Sequence, residues 1–131
     1  MYFTDENSLA LGKLLRQAGR HALYPGHEDL PEVPRGALDL EWMPVVGRRG
    51  LIVLTRDRRI RTRPIELDAY REAGIRSVWI GAKRDLTPHD QLELFLRHEQ
   101  RLQREATKRG PGPWALALTE RGLRPLRLDV R

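Results

Sequence analysis

Asp57 stands in Thr55-Arg56-Asp57-Arg58, directly behind the apolar run Leu51-Ile52-Val53-Leu54. Asp5 stands in Asp5-Glu6-Asn7, directly behind Met1-Tyr2-Phe3-Thr4. Each short run reads as a strand, so each carboxylate falls where a strand ends. In open α/β sheets, chemistry gathers outside the carboxyl ends of the strands. Two strand-end carboxylates more than 50 residues apart then read as two walls of one acidic site. Asp39 and Glu41 compete for a third place. Asp39 sits where a helix cap belongs, and Glu41 lies within the first turn, where an acid favours the helix dipole. Crowded carboxylates repel one another unless a cation screens them. Mg²⁺ or Mn²⁺, held by Asp5, Asp57 and Asp39 or Glu41, would orient water and screen charge on a phosphodiester under attack. The plainer reading of such acids is that they cap helices or bind loop amides.

Arg56, Arg58, Arg59, Arg61 and Arg63 place five arginines within eight residues, right behind the strand that delivers Asp57. Guanidinium groups there would rim the acidic site and grip phosphates on either side of a scissile bond. Arg48 and Arg49 extend the patch. Taken alone, the same run reads as a solvated basic loop. The other reactive side chains show no pattern. His21, His27, His89 and His98 lack metal-ligand spacing, and no serine or threonine has a histidine–acid arrangement visible in sequence. Trp42, Trp79 and Trp114 read as core or interface residues.

The elements that must position these groups follow from apolar runs and their punctuation. Met1–Thr4, His21–Tyr24, Leu51–Leu54 and Ser77–Ile80 read as strands. Helices fall between them: one from Asn7 or Ser8 to Gly19, one opened by Asp39 and closed by Gly50, and one from Pro64 to Gly74. Thr87-Pro88 opens the longest helix, stopped by Gly110-Pro111-Gly112-Pro113, and residues 110–131 read as a terminal hairpin around Arg121-Gly122. Pro25 to Gly36 reads as a loop. Strands alternating with helices predict an α/β sandwich with a mainly parallel sheet, as one domain over 1–131. No internal repeat, P-loop or dinucleotide fingerprint is present.

The chain has 24 Lys+Arg against 18 Asp+Glu, a net charge of +6, with only three lysines (Lys13, Lys83, Lys108). Such a basic balance suits nucleic acid or an acidic protein partner, and a genome rich in arginine codons would also produce it. No apolar run is long enough to span a membrane. The absence of cysteine excludes disulfides and thiolate metal sites and agrees with a cytoplasmic setting, and no secretion signal is evident.

On these stretches the chain resembles the PIN-like domain proteins, close to the toxin half of VapBC-type toxin–antitoxin pairs. The matching pieces are Asp5-Glu6-Asn7, Asp39-Leu40-Glu41-Trp42 before Gly47-Arg48-Arg49-Gly50, and Val53 to Arg61. Arg63-Pro64 and Ala73-Gly74-Ile75-Arg76 continue the likeness, which covers about residues 1 to 100. The resemblance implies a Rossmann-like sandwich that binds Mg²⁺ or Mn²⁺ and cleaves RNA, with an antitoxin as partner and a homodimer as one assembly. It implies Asp5 and Asp57 as metal-holding carboxylates, Asp39 or Glu41 as the third, and Arg56, Arg58, Arg61 and Arg63 as RNA contacts. PIN nucleases often carry a fourth acid shortly after the Asp57-like position. That region here is arginine-rich, leaving Glu66 or Asp68 if the chain folds back. Two rivals are weighed: a catalytically weak RNA- or antitoxin-binding module, and a phosphoacceptor signalling domain. Receiver domains also want a Ser/Thr after the fourth strand and a lysine after the fifth, whereas here Gly81-Ala82 follows Ile80 and Lys83 comes too early.

Overall fold

A computed structural model describes residues 1–56, 63–81 and 85–128. Asp57, Arg58, Arg59 and Arg61 therefore lie outside the described residues. Six strands form a single sheet in the order β2-β1-β3-β4-β5-β6: β1 (Tyr2–Thr4), β2 (Ala22–Leu23), β3 (Ile52–Thr55), β4 (Arg76–Ile80), β5 (Trp114–Thr119) and β6 (Gly122–Leu126). All neighbours are parallel except β5 and β6, which form an antiparallel hairpin. The four residues of the central strand β3, three of them apolar, are buried because helices cover both sheet faces, as a parallel sheet requires.

Side chains alternate between two cores. Tyr2, Ile52, Leu54, Val78, Ile80, Leu116 and Leu118 point to one face. There they meet Leu11 and Leu15 of α1 (Leu9–Gln17) and Leu94, Phe95 and Leu102 of α4 (Pro88–Arg109). Phe3, Val53, Trp79 and Ala115 point to the other face. Their partners are Trp42, Met43 and Val46 of α2 (Asp39–Arg49) and Tyr70 of α3 (Pro64–Glu72). Period-2 patterning in the strands thus divides the apolar residues, and helical stripes cover each half.

Two glycines set the spacing and ending of α2. Gly50 closes it with φ +65°, a left-handed conformation that costs a Cβ-bearing residue. Gly47 lets α2 lie directly on α3, because a Cβ there would overlap the carbonyl oxygen of Ala73.

The predicted architecture is the observed one, with local corrections. Asp39 is the first residue of α2, and its N-cap is Leu38. Leucine has no acceptor to offer, and Glu41 takes over: its Oε1 accepts from the Leu38 backbone N–H at 2.7 Å. The terminal hairpin expected over 110–131 has its strands at Trp114–Thr119 and Gly122–Leu126, and positions 129–131 lie outside the described residues.

Candidate active site

The chain runs outward from β1 through α1 to β2, then returns to lay β3 on the other side of β1 with α2 on the opposite face. The gap between the carboxyl ends of β1 and β3 is therefore the topological switch point of the sheet, where such folds bind ligands. Asp5 follows β1 at this point and is 3% exposed. The register pairs Thr4 with Leu54, so the next positions, Asp5 and Thr55, come side by side across the switch point. The Thr55 hydroxyl donates to Asp5 Oδ2 at 3.2 Å, a buried contact between residues 50 apart in sequence.

The face beneath this pair is aromatic. Phe3, two residues before Asp5, packs against Trp42 at 4.8 Å between ring centroids. The Trp42 indole Nε1 donates to Asp39 Oδ1 at 3.0 Å, so Asp39 is held to the sheet through an aromatic relay. Glu41 is turned to its own helix start, as the bond to Leu38 shows. Tyr70 of α3 is fully buried against Trp79, and the Trp79 indole donates to Ser77 Oγ at 2.9 Å. Burial drives the Tyr70 phenol well above its ordinary pKa, and the negative charge of Asp5 adds to the rise. That phenol therefore stays neutral beneath the site.

Around the rim, Glu6 accepts from the Gly36 backbone N–H at 2.5 Å and so fastens the loop between β2 and α2 beside Asp5. Arg56 follows β3 and keeps one guanidinium nitrogen out of solvent with no hydrogen-bond partner among the described residues. Arg63 precedes α3 and donates to Glu66 Oε1 at 3.2 Å. The other Glu66 oxygen is buried and makes no hydrogen bond among the described residues. Because α3 returns from the carboxyl end of β3, its first turn and Glu66 stand on the same edge of the sheet as Asp5. Asp68 instead pairs on the surface with Arg71 at 3.5 Å.

Residues 1–82 match the family model described as PIN like domain, 82 of the 131 residues and all of β1 to β4. The chain belongs to the PIN-like domain family. That family falls within a superfamily of nucleases, and the mainly parallel six-stranded sheet agrees with its fold. No curated protein and no solved structure matches the chain. In this PIN-like domain the structure brings Asp5 to the switch point with Thr55, and sets Arg56, Arg63 and Glu66 along the same edge. Among the described residues, no group of three or more His, Asp or Glu side chains is placed to hold a metal ion. No described helix is long and apolar enough to cross a membrane.

Sequence reasoning passed over Thr55, Tyr70 and the Phe3–Trp42 relay. Thr55 was recoverable: aligning the last residues of the two strand runs, Thr4 with Leu54, puts a hydroxyl beside Asp5. The role of Tyr70 depends on the helix–sheet contact, which the linear pattern does not carry.

Proposed function

We propose that this PIN-like domain is an Mg²⁺- or Mn²⁺-dependent endoribonuclease and the toxin component of a toxin–antitoxin pair acting in the cytoplasm. The observation that carries the reading is the buried carboxylate of Asp5 bonded to Thr55 at the switch point of the sheet. Burying an ionised carboxylate is costly, and a fold that keeps one at its ligand-binding edge retains it for chemistry. Asp5 supplies hard oxygen donors, the chemistry such cations select, and with Asp57 and Asp39 it would hold them. When bound, the cation would lower the pKa of a water molecule and screen charge on the phosphate. The protein's own contribution is positional. Thr55 fixes the Asp5 carboxylate, and Trp42 fixes Asp39 against Phe3. Arg56 presents a buried N–H with no acceptor among the described residues, a donor suited to a phosphate oxygen, with Arg58, Arg61 and Arg63 extending the grip.

For the antitoxin, the first turns of α2 and α3 leave apolar side chains in solvent on the same sheet edge as Asp5. Leu38 is 69% exposed and Ile65 73%. A second reading, a weak nuclease that mainly binds RNA or its antitoxin, draws support from Asp39 Oδ1 and Glu41 Oε1, both of which already accept intramolecular hydrogen bonds.

The test is cleavage of a structured RNA mixture with added Mg²⁺ or Mn²⁺, with chelator, and with Asp5→Asn. Cleavage should require the cation and vanish in the variant. Cleavage at the wild-type rate by folded Asp5→Asn would refute the assignment. Tight RNA binding without cleavage under any of these conditions would select the second reading.

A further inference from the structure

The longest helix carries a feature that the candidate site does not use. Arg97, Arg101, Arg104 and Lys108 are all exposed and recur at intervals of four, three and four residues along α4. At about 100° per residue, those intervals hold the four cations within an arc of roughly 60°. At about 1.5 Å per residue they extend over roughly 16 Å of helix axis. The result is one straight stripe of positive charge on the sheet face opposite Asp5.

The ordinary account of such a stripe is a solvated helix face laced with internal ion pairs. The acids present do not support it. Asp90, Glu93 and Glu120 line a surface pocket with Arg97 at the start of the stripe, with no ion pair to it among the described residues, and between Arg97 and Lys108 the only carboxylates are Glu99 and Glu105. Glu99 turns inward, where it accepts from the Tyr2 hydroxyl at 2.9 Å and from Arg20 at 2.9 Å. Glu105 pairs with Arg109 at 3.5 Å. Among the described residues, then, none of the four stripe cations has a carboxylate partner. Helix-dipole complementarity accounts for Lys108 in the last turn but not for Arg97, Arg101 and Arg104 in the interior. The field is felt locally: burial lowers the pKa of His98, and the charges of Arg97 and Arg101 lower it further.

A straight row of three guanidinium groups and one ammonium, without carboxylate partners among the described residues, matches a polymer of regularly spaced negative charge better than the irregular acids of a folded protein surface. We propose that this face of α4 is a second RNA-binding surface. It would hold the phosphate backbone of a long RNA at a distance from the cleavage site, so that affinity depends on substrate length. The identity of the polyanion rests on the ribonuclease reading, but binding can be measured without any cleavage.

The experiment compares the wild-type chain with the variant R97Q/R101Q/R104Q/K108Q, in which glutamine preserves helix propensity. With the metal chelated, binding of a labelled single-stranded RNA of about 30 nucleotides is measured across a salt series. Each phosphate contact contributes about 0.7 to the slope of log K against log salt for single strands. The slope should therefore flatten by about 2.8, with at least about a tenfold weaker Kd near physiological salt. With the cation restored, the variant should cleave an oligonucleotide too short to reach α4 with unchanged kcat and KM, while KM for the long RNA rises. Unchanged slope and affinity in the folded variant would overturn the proposal. So would polyglutamate displacing the RNA as well as unlabelled RNA does, since the surface would then fit an acidic protein. Wild-type protein that shows the stripe-dependent binding and never cleaves would remove the ribonuclease reading and leave this surface standing.

Discussion

Replacing Asp5 with asparagine should separate stability from activity. The Asp5 carboxylate is almost fully withdrawn from water, and burying an ionised carboxylate costs several kcal/mol even after relaxation. Asparagine keeps an oxygen acceptor for the Thr55 hydroxyl while removing the charge. In chelator, then, Asp5→Asn should lose no stability and gain up to about 1 kcal/mol. An unfolding entropy of roughly 2.1 cal/mol/K per residue over the 131-residue chain comes to about 275 cal/mol/K. A gain of 1 kcal/mol therefore raises Tm by about 4 °C. The cation should reverse the order of the two proteins. At about one hundred times its Kd, Mn²⁺ stabilises the wild type by about 2.7 kcal/mol, or roughly 10 °C on the same conversion. The variant, missing a central ligand, should shift by less than about 2 °C. The assay is a thermal melt of both proteins in chelator and across an Mn²⁺ titration, paired with RNA cleavage. Equal Mn²⁺ shifts in the two proteins would remove Asp5 from the metal site. A large drop in the Tm of the variant in chelator would show that the carboxylate is a structural anchor.

Three further outcomes follow from described contacts. Gly47→Ala should lower stability by about 1–3 kcal/mol in a denaturant titration, because the new methyl group would force α2 away from the Ala73 carbonyl. Glu99→Gln should cost about 1–2 kcal/mol, read the same way, since Tyr2 and Arg20 both lose a charged acceptor and Arg20 is partly exposed. His98→Gln should flatten the acid side of the stability profile. Burial, with Arg97 and Arg101 adding, holds the folded His98 below its usual value, so the unfolded chain binds more protons. The stability it contributes is complete above about pH 6.5 and is lost as the pH falls below that value. Melts of both proteins between about pH 7.5 and 5.5 would show the difference, and parallel profiles would refute it.

Much of the fold was legible because local and global signals agree. Leu51–Leu54 reads as a fully buried strand, and a fully buried strand runs one residue later, over Ile52–Thr55; Thr87-Pro88 marks the start of α4, where Thr87 Oγ1 accepts from the Asp90 N–H at 3.1 Å. What the sequence hid was the division of labour among neighbouring acids. Asp39 and Glu41 share the first turn of α2, and only their bonds, to the Trp42 indole and to the Leu38 N–H, show that Asp39 turns to the sheet and Glu41 to the helix start. Glu6, next to Asp5 in the sequence, turns away to fasten a loop. The stripe on α4 was hidden for the opposite reason. Its arginines are visible in the sequence, but their lack of partners appears only when Glu99 is seen to point inward.

The two borders of the sheet bear on how this protein can associate. At one border β2 is only two residues long, and at the other β6 carries Pro125, which has no N–H to donate. Neither border offers an incoming strand a long ladder of unpaired backbone groups, so growth of the sheet by strand addition is suppressed from both sides. Self-association or capture of a partner is therefore left to side chains on the helical layers, the surfaces that carry the exposed Leu38 and Ile65 and the row of cations on α4. A partner would recognise this chain through its helices and would have little backbone to zip onto.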